Sequence, residues 1–246
     1  MIKLHDQMHL NAPEVKRRFD KNICLLVYSY DRHLHFTKAC MESFKKFDLF
    51  TILAWDRGKQ PPQEIIDGVD CFHIKPKCQS SVVYSWVWHS LATSWVADHF
   101  DYIFSVSGDC YFERPQGLPE VIEKMGDSDV CAYWYDNNRI GTMAWICRSH
   151  AYRNILHHIC KNWEDPDRNG NMVEARVMRA VKAFGYKIAK TMEGMFSFVL
   201  PPDGDTEEKR GRGYFGEVLG MRHLHWEQRR RAELGLPQLG KELMDL

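Results

Sequence analysis

The chain has 246 residues, 44% of them hydrophobic and 27% charged, a balance that suits a globular fold with a sizeable core and argues against a disordered or fibrous chain. Lys plus Arg and Asp plus Glu both total 33, so the formal net charge is zero, which argues against a generally basic nucleic-acid binder while leaving room for a local basic patch. No apolar run is long enough to span a bilayer and residues 1–20 are too polar for a signal peptide, so the expectation is a cytoplasmic protein without membrane contact.

Residues 1–21 read as a lead-in, with a short helix after Pro13 on which Val15 and Phe19 share a face. Ile23 to Tyr28 is an apolar run expected to form a buried strand, followed by a polar turn, Ser29-Tyr30-Asp31-Arg32. Phe36, Cys40, Phe44 and Phe47 recur at helical spacing, and Phe50 to Trp55 is a second strand ending in Asp56-Arg57-Gly58. The chain thus opens as β-α-β with polar groups at the carboxyl ends of both strands. Pro61-Pro62 is a break, and Cys71 to Ile74 is a short third strand. Ser80 and Ser81 can cap a helix over about 82–99, whose Tyr84, Trp86, Trp88 and Trp95 suit a buried element.

Asp101 to Pro115 is the most informative stretch. Tyr102, Ile103, Phe104 and Val106 form a nearly continuous β-forming run, the pattern of a strand buried on both faces, and it stops at Ser107-Gly108-Asp109. A carboxylate there sits at the carboxyl edge, where open α/β sheets place their ligand crevice, although Ser-Gly-Asp is also ordinary turn chemistry. Beyond Pro115 come an amphipathic helix with Val121, Ile122 and Met125, a strand from Val130 to Tyr135, the loop Asp136 to Gly141, and a strand through Met143 to Cys147. Two amphipathic helices follow, one with Ile155, Leu156 and Ile159, the other with Val173, Val177, Ala180, Val181 and Phe184 and closed by Gly185. Tyr186 to Ala189 is a candidate short strand, Pro201 to Gly216 a charged surface loop, and the tail carries Arg222-His223-Leu224-His225-Trp226-Glu227 and then Arg229-Arg230-Arg231. The eight cysteines include no CxxC, and several lie inside apolar segments, as reduced buried thiols do.

From about Ile23 to Trp226 this order of features resembles the GT-A superfamily of nucleotide-sugar glycosyltransferases. The resemblance implies an α/β, single-domain GT-A (Rossmann-like) fold over 22–226, with a mostly parallel central sheet flanked by helices and a basic tail over 227–246. It assigns donor contacts to Ser29, Tyr30 and Arg32 after the first strand, to Asp56 after the second, and to Gly141 in the loop Arg139-Ile140-Gly141-Thr142. The family's DxD triplet is matched by Ser107-Gly108-Asp109, with the first acid replaced by serine and the last, the metal-binding one, kept. The late histidine that completes the metal shell is matched by His225 or His223, and the helix-start acid that acts as catalytic base by Glu174. An imidazole in that shell favours Mn2+ over Mg2+, either ion offsetting the charge that builds on the diphosphate leaving group. In an extended segment His223 and His225 would share one face. Spacing alone favours reading Glu174 as a solvated first-turn acid, and either histidine also reads as a packing partner of Trp226.

Leu219 to His225 is similar to the C-terminal part of phage-type glycosyltransferases that modify hydroxymethylated DNA bases, and with Arg229, Arg230 and Arg231 beside it this implies double-stranded DNA as acceptor, the base being flipped out of the stack. Such an arginine run is also the ordinary composition of a solvated helix face. A cell-envelope glycan or lipopolysaccharide acceptor, and an inactive nucleotide- or glycan-binding module, are the alternatives that the residues leave open.

Overall fold

A computed structural model describes residues 8–10, 22–45, 47, 49–56, 60–74, 94–133, 135, 137–162, 173–189, 215, 218–233 and 235. The helix expected after Pro13, the aromatic positions Tyr84, Trp86 and Trp88, and the charged loop Pro201 to Gly216, apart from Phe215, lie outside these residues. The strands in chain order are β1 (Met8–Leu10), β2 (Ile23–Tyr30), β3 (Phe50–Asp56), β4 (Cys71–Ile74), β5 (Tyr102–Ser107), β6 (Cys110–Phe112), β7 (Val130–Ala132), β8 (Ala144–Arg148) and β9 (Met221–His223). The helices are α1 (Leu34–Phe44), α2 (Gln63–Ile66), α3 (Leu118–Met125), α4 (Ser149–Lys161), α5 (Val173–Phe184) and α6 (Leu224–Glu233).

Seven strands form one sheet in the order β1-β4-β3-β2-β5-β8-β7, and β6 pairs with β9 in a separate two-stranded ladder. β2, β3, β4 and β5 are mutually parallel, β1 and β8 oppose their neighbours, and β7 opposes β8, so the sheet is mostly parallel. The period of two along β2 divides the core. Leu25 and Val27 face Phe44 of α1, Ile65 and Ile66 of α2 and Val121 and Ile122 of α3, whereas Cys24 and Leu26 face Tyr152 and Ile155 of α4 and Val177 and Val181 of α5. Each fully buried aliphatic side chain contributes about 1.5–3 kcal/mol, which explains why these strands are apolar on both sides and why helices cover both faces.

Several boundaries differ from the sequence reading for local reasons. Ser29 and Tyr30 are strand residues and not part of the turn, because they pair in register with Trp55 and Asp56 of β3. The turn is the single 3-10 turn Asp31–His33, which leads directly into α1. α1 ends at Phe44, short of Phe47, and Trp95 lies in the 3-10 turn Ser94–Asp98. β7 stops at Ala132, with Tyr135 making only an isolated bridge to Ile140. The expected short strand after Gly185 is one parallel bridge, Ile188 to Val130, held by Val130 N–H to Lys187 O (3.1 Å) and Ala189 N–H to Val130 O (2.8 Å). Gly185, at φ +66°, ends α5 as a C-terminal cap. β1, from the lead-in, adds an antiparallel strand outside β4. No helix among the described residues is long and apolar enough to cross a membrane.

Cys24, Cys40, Cys71, Cys110, Cys131 and Cys147 are free and buried. Burial raises all six thiols, Cys71 to about 12 with help from the nearby Asp70 carboxylate. At pH 8 the thiolate fraction is therefore negligible in the folded chain. Iodoacetamide at that pH should leave these six positions unmodified, and peptide mapping should find them labelled only after denaturant is added. Labelling of Cys24 or Cys110 in the folded protein would contradict this packing.

Candidate functional site

The site is built where β5 leaves the sheet. Ser107 N–H donates to Met143 O (2.7 Å) and Gly108 N–H to Tyr28 O (2.6 Å), so the turn is held between β2 and the approach to β8. A Cβ at 108 would lie 2.7 Å from Ser29 Cβ and Oγ and 3.0 Å from Thr37 Oγ1, so only glycine allows this approach. The Ser29 and Thr37 hydroxyls are hydrogen-bonded to each other, and Thr37 also donates to His33 O (2.9 Å). Asp109 follows at 5% exposure.

Beyond Asp109 the chain pairs as β6 with β9, matching Cys110 to His223, and Leu224 N–H donates to Asp109 O (2.9 Å). This pairing brings the late histidines to the acid. His223 Nε2 lies 3.6 Å from Asp109 Oδ2 and 3.1 Å from Met143 Sδ. His33 Nδ1 lies 3.6 Å from the same Oδ2, while His33 Nε2 and the Tyr30 hydroxyl share a 2.7 Å hydrogen bond. Burial pulls the His33 imidazole down to about 4, outweighing the upward pull of Asp109, and His225 and His223 add to the lowering. At neutral pH His33 is uncharged, and its contact with Asp109 is not an ion pair. The other carboxylate oxygen, Oδ1, is buried and has no hydrogen-bond partner among the described residues.

His225 is not on the same extended face as His223. β9 ends at His223 and α6 begins at Leu224, so the period of two fails after one residue and His225 sits in the first turn of a helix. His223 is buried at 3% exposure and His225 is exposed, its ring 5.0 Å from that of His33. Among the described residues no group of three or more His, Cys, Asp or Glu side chains is placed to hold a metal ion. Two imidazole nitrogens face Oδ2, and Oδ1 is left without a partner among the described residues.

The remaining sequence candidates fall around this point. Tyr30 and Asp56 are register partners at the carboxyl ends of β2 and β3, and Arg32 lies in the turn before α1. Ser107 ends β5, and the buried Ser29 hydroxyl is turned to Thr37 and Gly108. Gly141 is buried two residues before Met143, whose sulfur touches His223. Glu174 occupies the first turn of α5, and its backbone carbonyl accepts Ile140 N–H (3.3 Å), tying that helix start to the Gly141 loop. Two residues at the site were missed by the sequence reading, His33 and Met143. His33 directly follows the Ser29 to Arg32 segment, and its position there was the available signal.

The arginines of the tail are placed differently. Arg222 makes a bidentate pair with Glu227, Nη2 to Oε1 at 2.8 Å and to Oε2 at 3.0 Å, both residues being buried. Arg231 Nε lies 3.5 Å from the same Glu227, and Arg229 pairs with Glu233 one helical turn on (3.3 Å). Arg230 belongs to the same helix, α6.

No family model matches the chain, and no curated protein matches it. Solved structures similar to it include a protein described as a nucleotide-diphospho-sugar transferase from Desulfovibrio desulfuricans G20, at 8% identity over 70% of this chain and 80% of that one, with a TM-score of 0.47. Another is the apo-form glycosyltransferase GlyE of Streptococcus pneumoniae TIGR4, at 11% identity over 69% of this chain and 45% of that one, with a TM-score of 0.45. At these values the likeness assigns no site residue and no substrate.

Two substitutions test the scaffold of the site. Gly108→Ala should lower stability by about 1–3 kcal/mol in denaturant unfolding, because Ser29 and Thr37 must shift to admit the methyl group. Arg222→Ala should cost about 3 kcal/mol, since it leaves the Glu227 carboxylate buried without its bidentate partner. A wild-type midpoint in either variant would show that the contact is dispensable.

Proposed function

We propose that the chain is a glycosyltransferase that moves a hexose from a nucleotide-sugar donor of the UDP-glucose type to an acceptor hydroxyl, assisted by a divalent metal ion, Mn2+ or Mg2+. The observation that carries this reading is the buried Asp109 carboxylate just beyond the end of a parallel strand, with one oxygen unpartnered and His223 beside the other. The carboxyl edge of such a sheet is where a nucleotide finds its crevice. Asp109 and His223 would hold the ion, with His225 at the exposed rim, and the bound cation would offset the negative charge that builds on the departing diphosphate.

The chain's own groups supply the rest. Tyr30 and Asp56, at the ends of the two neighbouring parallel strands, and Arg32 in the turn after the first of them would contact the nucleoside, and Ser107 and Gly141 the diphosphate and sugar. Glu174, anchored to the Gly141 loop through its own carbonyl, is the base that takes the proton of the acceptor hydroxyl. Transfer then breaks the bond from the sugar's anomeric carbon to the diphosphate oxygen and forms one to the acceptor oxygen.

For the acceptor we propose a 5-hydroxymethylated pyrimidine in double-stranded DNA. The support is the Leu219 to His225 segment, which forms β9 and the start of α6 and delivers His223 to Asp109, together with Arg229, Arg230 and Arg231 on the same helix. The pairing of Arg229 with Glu233 and of Arg231 with Glu227 favours a second reading, an uncharged cell-envelope glycan, because those guanidiniums already have carboxylate partners.

Calorimetric titration of UDP and UDP-glucose should show binding with Mn2+ that is lost with chelator, and Asp109→Ala should remove it. Glu174→Gln should bind donor as wild type does and transfer sugar roughly 10^2- to 10^4-fold more slowly. A well-folded sample that binds no nucleotide, or Asp109→Ala at full activity, would sink the reading. For the acceptor, retention on hydroxymethylated duplex DNA should fall steeply as salt rises, through counterion release. Salt-independent behaviour, with transfer to a neutral glycan, would give the second reading the advantage.

A further inference from the structure

We propose that the surface between α4 and the end of α5 is a binding site for single-stranded nucleic acid, with Phe184 and Tyr186 as rings on which bases stack and basic residues of α4 as the contacts to phosphate. It goes beyond the transferase reading and does not depend on it, because it lies at the opposite edge of the sheet from Asp109. Tyr102, which opens β5, pairs with Arg148 just before α4, whereas the acid follows the other end of that strand. The length of β5 separates the two by roughly 17 Å. Likewise Glu174 opens α5 and Phe184 closes it, about 15 Å away along the helix.

Among the described residues Phe184 is the large hydrophobic side chain left exposed, at 45%. One exposed phenyl ring is ordinary on a protein surface, but this one belongs to a row. Phe184 stacks on Tyr186 with ring centres 5.5 Å apart and planes 26° from parallel, His158 meets Phe184 in a T-shaped contact at 5.8 Å, and His150 meets Tyr186 in another at 5.7 Å. The row follows α4 because His150, Asn154 and His158 are spaced four residues apart and share one face. From His150 to His158 it is about 12 Å long, the rise of roughly three to four stacked nucleotides at about 3.4 Å each. The row is also fixed in place. Asn154 Nδ2 donates to the Tyr186 hydroxyl (2.6 Å), Tyr186 N–H donates to Val181 O (3.0 Å), and the Asp129 carboxylate joins His150 Nε2 (3.0 Å) to Lys187 N–H (2.9 Å). Rings held before binding lose little freedom when a base stacks on them.

Charge then decides the class of ligand. Ser149–Lys161 contains Arg153, His157, His158 and Lys161 and no aspartate or glutamate. Arg153, His157 and Lys161 repeat every four residues in a second line beside the rings. Arg153 is paired with Asp98 and Lys187 with Asp127, which leaves the positive charge offered to a ligand at the His157 and Lys161 end. Burial, and then the cations Arg179 and Lys161, hold the His158 imidazole below its ordinary value, so at neutral pH it is an uncharged aromatic ring beside those cations. A neutral glycan would gain nothing from this charge. Flat rings interleaved with cations suit a flexible strand whose bases are unstacked, held by its backbone and base faces without regard to sequence.

The test is fluorescence anisotropy of a labelled oligothymidylate with the full chain, in chelator and without sugar donor, so that no occupant of the Asp109 site takes part. Binding should weaken roughly tenfold or more in Phe184→Ala and equally in Phe184→Leu, which keeps an apolar side chain but has no ring, and should persist in Phe184→Trp. Lys161→Gln should make the fall of log affinity with log salt shallower by about 0.7. Ultraviolet crosslinking should join the oligonucleotide to the peptide that holds Phe184 and Tyr186. Circular dichroism and the unfolding midpoint identify any variant that fails to fold, and Phe184→Leu carries the comparison if Phe184→Ala is one. No binding by the wild-type chain, wild-type affinity in Phe184→Leu, or crosslinks confined to Arg229, Arg230 and Arg231 would overturn the proposal. So would a heparin fragment that binds as tightly as the oligonucleotide to wild type and Phe184→Ala alike, since the surface would then be a site for acidic glycans. A chain that binds oligothymidylate through Phe184 but no UDP would leave this site standing while the transferase reading falls.

Discussion

The position of one glycine governs the polar centre of this protein. Gly108 has room for a hydrogen atom and nothing larger, because Ser29 and Thr37 close over it from β2 and α1. That close approach fixes where the chain turns out of β5, and so where Asp109 stands. It also explains why the neighbouring hydroxyls bond each other and are not turned outward. The carboxylate is consequently buried by a packing decision made one residue earlier, and its exposure does not depend on its own chemistry.

Around that point the fold does two separate jobs. The parallel strands, with apolar residues on both faces, carry the hydrophobic cores under the helices on either side. The small β6–β9 ladder adds Cys110, Phe112 and Met221 to one of those cores and also delivers His223 and Leu224 to Asp109. The buried Arg222–Glu227 pair stiffens the same segment at its transition from strand to helix, since a desolvated bidentate pair tolerates little movement of either partner. It also shows why a run of basic residues in a sequence is ambiguous. In Arg222-His223-Leu224-His225-Trp226-Glu227 the charge nearest the site is spent internally, and Arg229 and Arg231 find glutamates one turn away.

Much of the fold was legible because the signals were local. The continuous apolar runs of β2, β3 and β5 and the helical spacing of α1, α3, α4 and α5 all reported their burial directly, and the acid after the central strand stood out because it interrupts such a run. What sequence could not supply was long-range register. The β6 and β9 strands are three residues each, too short for a periodic pattern, and their pairing joins segments far apart in the chain. The same limit misplaced His225, whose spacing from His223 would share a face only if the strand continued, and it does not. His33 was overlooked for another reason: a single histidine in a turn carries no pattern, and only the meeting of that turn with Asp109 gives it meaning.

The β6–β9 pairing also has a kinetic side. It closes a loop spanning most of the second half of the chain, and contacts of such separation form late because the closing entropy must be met before they contribute. A growing chain on the ribosome could complete the β-α-β opening and its apolar cores while Asp109 still lacked its histidine from β9. The polar centre would therefore mature late, and a chain stopped short of residue 221 would lack the ladder and the histidine that completes the surroundings of Asp109.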